Sequence, residues 1–104
     1  MDYNKVSFVC YVSRDVELRF TPEGKAVAKF GIAINETKDK AFFASVTAWE
    51  KLAELVNESI HKGSRIFIEG KLTTPGAWIN KEDNTPRASI EVTANTVVFL
   101  DKKE

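Results

Sequence analysis

Cysteine is almost missing from this 104-residue chain: Cys10 stands alone, so no intrachain disulfide framework forms and no Cys-x-x-Cys pair offers a zinc site. Histidine is equally scarce, with His61 the single imidazole. Neither sign of charge dominates. Fifteen Lys+Arg face fifteen Asp+Glu, and the two halves match: eight basic and seven acidic side chains in residues 1–52, seven and eight in residues 53–104. There is no basic block or acidic tail, so charge alone advertises no partner. Low-complexity segments and internal repeats are missing as well. No apolar run approaches the roughly 18 residues of a membrane span, and Met1-Asp2-Tyr3-Asn4-Lys5 leads into a strand rather than a signal peptide. The expectation is a cytoplasmic globular domain with no membrane partner.

What is present suffices for one core. The chain is 43% hydrophobic, with seven Phe, two Tyr and two Trp, which excludes disorder and sets one domain over 1–104 with a core of about 4–100. Period-2 patterning dominates. Val6, Phe8, Cys10 and Val12 form the inner row of a first strand, with Val9 and Tyr11 outside, and Glu17-Leu18-Arg19-Phe20 prolongs it. Thr21-Pro22-Glu23-Gly24-Lys25 predicts a turn. Ala28, Phe30, Ile32 and Ile34 line the inside of a second strand, and Val27, Lys29, Gly31 and Ala33 its outside. A polar loop is expected over Asn35 to Lys40. A third strand then carries Phe42, Ala44, Val46 and Ala48 inward and Phe43, Ser45, Thr47 and Trp49 outward.

The period next switches to helical. Leu52, Ala53, Val56 and Ile60 form one apolar stripe of about three turns, which Thr47-Ala48-Trp49-Glu50 is expected to open as a capping box and Lys62-Gly63 to stop, with His61 in the last turn. Ile66, Ile68 and Leu72 resume alternation, with Gly70 a bulge or bend. A polar excursion over Thr73 to Pro86, containing Pro75-Gly76, Trp78 and Asp83-Asn84, precedes a last strand from Arg87 to Leu100 and a solvated Asp101-Lys102-Lys103-Glu104. The order β-β-β-α-β-β is that of an all-β OB-fold, a five-stranded Greek-key barrel with a helix between strands 3 and 4.

Enzymatic constellations are missing. His61 reads as a solvated helix-end residue and Cys10 as a buried structural thiol. No phosphate-binding glycine motif occurs, and Glu17, Glu50, Glu54 and Glu58 have no paired carboxylate. No enzyme, cofactor or metal is expected. Aromatics instead stand where a core does not need them: Phe43 and Trp49 share an outer row, and Trp78 sits in the polar excursion, with Arg19, Lys29, Lys51, Lys62, Lys71 and Arg87 interleaved. Stacking platforms flanked by cations suit single-stranded nucleic acid, because every base has a π-face. Each residue also has a plainer reading. Trp49 is in phase with the helix stripe and fits a core role, Phe43 fits a subunit interface, and Trp78 fits packing back on the barrel.

Several runs resemble the bacterial single-stranded DNA-binding protein family. Arg14 to Ala28 is similar to that family's R-D-P-E-L-R-Y-T-P-x-G-x-A-V-A hairpin, and Trp49-Glu50-Lys51-Leu52-Ala53-Glu54 resembles its W/F-G-K-L-A-E junction. Lys62-Gly63-Ser64-Arg65 and Ile68-Glu69-Gly70-Lys71-Leu72 resemble K-G-S-x-V-x-V-E-G-x-L, and Glu91-Val92-Thr93-Ala94-Asn95 with Phe99-Leu100 matches the closing strand. The resemblance implies a bacterial, nucleoid-associated OB-fold that coats single-stranded DNA without strong sequence preference in replication, recombination and repair, as a homotetramer or dimer. It places Phe43, Trp49 and Trp78 as base-stacking aromatics, and Arg19, Lys51, Lys62 and Arg87 on or next to backbone contacts.

The departures are local. Cys10 replaces a glycine and Val16 a proline. Lys38 lies near a further stacking Trp of some members, and Thr73, Thr74 and Ala77 stand where many carry Arg or Lys. The family's Gly/Gln/Pro-rich linker and acidic tip have no counterpart before Glu104, so partners recruited by that tail are not expected. A competing resemblance is to the tail-less primosomal replication protein N, an OB-fold protein-interaction subunit. Charge neutrality favours it, and the three aromatics disfavour it.

Overall fold

Side-chain alternation rolls the chain into a barrel. The computed structural model describes residues 2–73, 77–88 and 90–100, and the side chains of all of these except 77–80 and 85–88. Its elements are β1 (Val6–Phe20), β2 (Ala26–Thr37), β3 (Lys40–Trp49), α1 (Glu50–Ser59), β4 (Arg65–Thr73), β5 (Ala77–Asn80), β6 (Thr85–Ala88) and β7 (Ile90–Phe99). Five of these close in the order β1-β2-β3-β7-β4, with β4 pairing back to β1. All neighbours are antiparallel except β3 and β7. This is the OB-fold expected from the element order.

The expected inner rows form the core. Cys10, Val12, Ala28, Phe30, Ile32 and Val46 are fully or almost fully buried, joined by Ile66, Ile68 and Val92. Each large side chain so buried contributes roughly 1.5–3 kcal/mol. Helix α1 closes one end, packing against β1, β2, β3 and β7 through Ala53, Val56 and the residue after its end, Ile60. Cys10 lies in this apolar interior, where burial pushes its thiol up to about 11 against the opposing pull of the Arg65 guanidinium. It therefore stays neutral and packs as a small hydrophobe.

Turn chemistry works as the sequence suggests between β1 and β2: Gly24 takes φ +86° and donates its N–H to the Thr21 carbonyl. Gly70 sits at a register shift between β4 and β7, where a Cβ would lie 2.0 Å from the Thr93 carbonyl oxygen. Among the described residues no helix is long and apolar enough to cross a membrane.

Several local expectations are corrected. The polar loop over Asn35 to Lys40 is largely strand, because Asn35 pairs with Ala41 and Thr37 with Lys40, leaving only Lys38-Asp39 as the turn. The capping box does not form. Thr47 is still mid-strand, paired with Lys29 and Thr93, and Trp49 is the N-cap without a side-chain hydrogen bond. The helix stops at Ser59, since Ile60 turns extended to bury its side chain. His61 is thus an exposed turn residue, its N–H donating to Ser64 Oγ at 3.0 Å. Leu72 has inner parity opposite Val92, yet lies past the Gly70 bend and is exposed. The single excursion over 73–86 contains the β5–β6 hairpin, and the expected last strand is two, β6 and β7. Pro75-Gly76 and the end expected to be solvated, 101–104, lie outside the described residues.

Candidate nucleic-acid interface

Strand β3 sets the geometry. Phe43 and Trp49 point outward from its first half and its last residue, 64% and 45% exposed. Six residues at ~3.3 Å each separate them by roughly 20 Å. Thr47 and Ser45 fill the outer row between them, and register sets Trp49 opposite Val27, Thr47 opposite Lys29, Ser45 opposite Gly31, and Phe43 opposite Ala33. The result is a shallow strip with an aromatic post at each end.

The same rows continue around the barrel. One reads Glu17, Lys29, Thr47, Thr93, Lys71 across β1, β2, β3, β7 and β4. A second, one step nearer Trp49, reads Arg19, Val27, Trp49. The structure therefore brings Arg19, Lys29, Phe43, Trp49 and Lys71 onto one continuous face. Trp49 ends the outer row of β3 and is half-exposed, although it is in phase with the helix.

The cations on this face are not equivalent. Arg19 donates from both Nε and Nη2 to Glu17 Oε1, the former at 2.7 Å, so its charge is largely matched within the chain. Among the described residues Lys29 and Lys71 form no ion pair. Lys51 and Lys62 lie apart from the rows. Lys51 follows Trp49 on the first turn of α1, in a cleft shared with Phe20, Lys25 and Glu54. Lys62 is exposed on the turn before β4, its backbone N–H held by Asp15 Oδ1 at 2.7 Å. Trp78 and Arg87 are cross-strand partners in the β5–β6 hairpin, and their side chains lie outside the described residues.

One residue on this face escapes a reading by alternation. Even-numbered positions of β1 face the core, so strict parity sends Arg14 inward. Two register shifts flank it, between Val12 and Arg14 and between Arg14 and Glu17, and they place Arg14 opposite the outward Gly31. Each shift adds one residue to β1. The second therefore restores the parity that the first breaks, and Val16 and Leu18 pack on the core again. The only sequence signal was Gly31 itself, a bare position in an outer row.

A closed OB-barrel bearing an aromatic and cationic strip on one arc defines a binding domain of the OB class. Comparison with known proteins carries this further: the model of the single-strand binding protein family matches residues 3–100. The chain belongs to that family. It is 38% identical over 97% of its length to the single-stranded DNA-binding protein of Wolinella succinogenes, covering 66% of that protein. It is 36% identical to that of Helicobacter hepaticus, over 97% of this chain and 63% of the relative. For the Deinococcus radiodurans single-stranded DNA-binding protein the identity is 36%, over 93% of this chain and 34% of the relative. The chain thus spans just under two thirds of the first two and a third of the last.

Proposed function

We propose that this chain binds and coats single-stranded DNA without strong sequence preference, serving replication, recombination and repair. The observation that carries the reading is the pair of wet aromatic side chains, Phe43 and Trp49, on one outer row with Lys29 and Lys71 in the row beside it. Stacking on such posts is worth ~1–3 kcal/mol per base and is tolerant of sequence. Lys51, Lys62, Trp78 and Arg87 extend the proposed path beyond the strip, onto the helix start, the β4 turn and the β5–β6 hairpin. The family membership and the printed names of its relatives support the same ligand.

The domain acts as a binding module, not an enzyme, in a bacterial cytoplasm, and assembles as a homotetramer or a dimer. Titration with oligo-dT at low salt, followed by tryptophan emission, tests the ligand. Stacked indoles lose fluorescence on binding. No change in emission at saturating oligo-dT overturns the reading, and leaves a protein-interaction subunit of the primosomal type in its place.

A further inference from the structure

Arg14 is laid across the strip by two bulges in β1, just after that strand turns from pairing with β4 to pairing with β2. A Cβ on Gly31 would lie 3.5 Å from the Arg14 guanidinium carbon, 3.2 Å from its Cβ and 2.9 Å from Ser13 Oγ. The side chain therefore lies flat over the bare glycine, in the row Arg14, Gly31, Ser45, Glu91, between the Trp49 and Phe43 ends. Bulges re-aim side chains, and a strand glycine marks where another group approaches closely. Here both occur at the same point. The bulged segment is also pinned: Asp15 Oδ1 accepts the Lys62 N–H, while Val12 N–H donates to the Ser64 carbonyl at 2.8 Å.

Arg14 is exposed, and among the described residues no acceptor engages it. Arg19, by contrast, is chelated by Glu17. A guanidinium offers a planar fork of donors suited to phosphate, and a free one needs no internal partner displaced before it can bind. We infer that Arg14, positioned by the Gly31 cradle, is the principal phosphate-binding guanidinium of the strip, and that the Arg19–Glu17 pair contributes little net charge to it. This rests on the single-stranded DNA reading above.

The test uses the full chain and oligo-dT, read by tryptophan emission across a salt series. Arg14→Ala is expected to weaken binding by roughly three- to tenfold at low salt and to make the salt slope shallower by about 0.7, one phosphate. Arg14→Lys should keep the slope while recovering only part of the affinity. Removing the matched pair together, as Glu17→Gln with Arg19→Gln, should change affinity less than Arg14→Ala does. Gly31→Ala keeps every charge but crowds Ser13 Oγ and the Arg14 Cβ and guanidinium, so it should weaken binding by the native protein more than it weakens binding by Arg14→Ala, which keeps the first two contacts and lacks the third. Thermal melts accompany each variant. If Arg14→Ala binds with unchanged affinity and slope while Phe43→Ala weakens binding, the proposal is wrong and the ligand stands. If Gly31→Ala costs the same with and without Arg14, the cradle is wrong. Unmodified protein that fails to bind overturns both the proposal and the ligand.

Discussion

Glu50 adopts φ +56° at the first position of α1, a left-handed conformation that a side chain with a Cβ resists. The strain is of order 1–2 kcal/mol for an L-residue. Family members of the W/F-G-K-L-A-E pattern carry glycine at this junction, which removes the strain. In this chain the carboxylate recovers part of it, because an acidic side chain in a first turn interacts favourably with the helix dipole, by about 0.3–1 kcal/mol when exposed. The usual helix ranking should therefore invert here. Glu50→Gly is expected to be about 1 kcal/mol more stable than Glu50→Ala, since alanine keeps the strain and loses the charge, whereas in a helix interior glycine is the worse by a similar amount. Urea denaturation of the two variants measures it; alanine the more stable would mean that the junction is not held left-handed in solution.

At the scale of strands, alternation and register divide the work on β3. Phe43 is mostly exposed, so Phe43→Ala should weaken oligo-dT binding by ~1–3 kcal/mol and shift stability by no more than about 0.5 kcal/mol. Trp49 ends the strand at the helix N-cap, opposite the half-buried Val27. Trp49→Ala should therefore weaken binding and also lower stability, by about 1 kcal/mol. Titration and urea melts of the two variants separate these effects. Were Phe43→Ala to disperse the assembly while leaving binding intact, its ring would belong to a subunit contact. The outer row was legible in the sequence because Phe42, Ala44, Val46 and Ala48 alternate with it without a break. Arg14 was not, because paired bulges leave the hydrophobic period intact on either side and hide the one residue they turn over. The helix ends were misread for a different reason: Ile60 belongs to the stripe by spacing, but it reaches the core from an extended backbone. That choice is set by packing against the barrel, beyond any local cap signal.

For the whole molecule, the outside of the barrel divides into two arcs of opposite character. Away from the strip, Val9, Phe67 and Val98 form a row across β1, β4 and β7. Val9 and Val98 are 48% and 44% exposed, and Tyr11 beside them, 43% exposed, lies under the Arg65 guanidinium at 4.3 Å. Leu100, exposed and bonded through its N–H to the Arg65 carbonyl, extends the apolar surface. A contiguous apolar patch of this kind is costly on a lone domain. Its Val9–Phe67–Val98 row pairs with neither Phe43 nor Trp49, although Tyr11 stands opposite Ala33 and Ala33 opposite Phe43, so a second copy seated on that row would leave the Trp49 end of the proposed strip open. The proposed assembly and the proposed DNA binding should therefore respond to different mutations. Light scattering at micromolar protein should give a multiple of the 11.7 kDa chain mass. Val9→Glu, which sets a carboxylate at one end of the row, next to Glu69 on β4, should drive that mass toward one chain while each barrel remains folded. Affinity per strip for a short oligo-dT should hardly change, whereas long strands should bind more weakly once neighbouring strips no longer travel together. A native mass near 11.7 kDa would refute the assembly. A Val9→Glu protein that loses short-oligomer binding in parallel with its mass would show instead that the two arcs work as one surface.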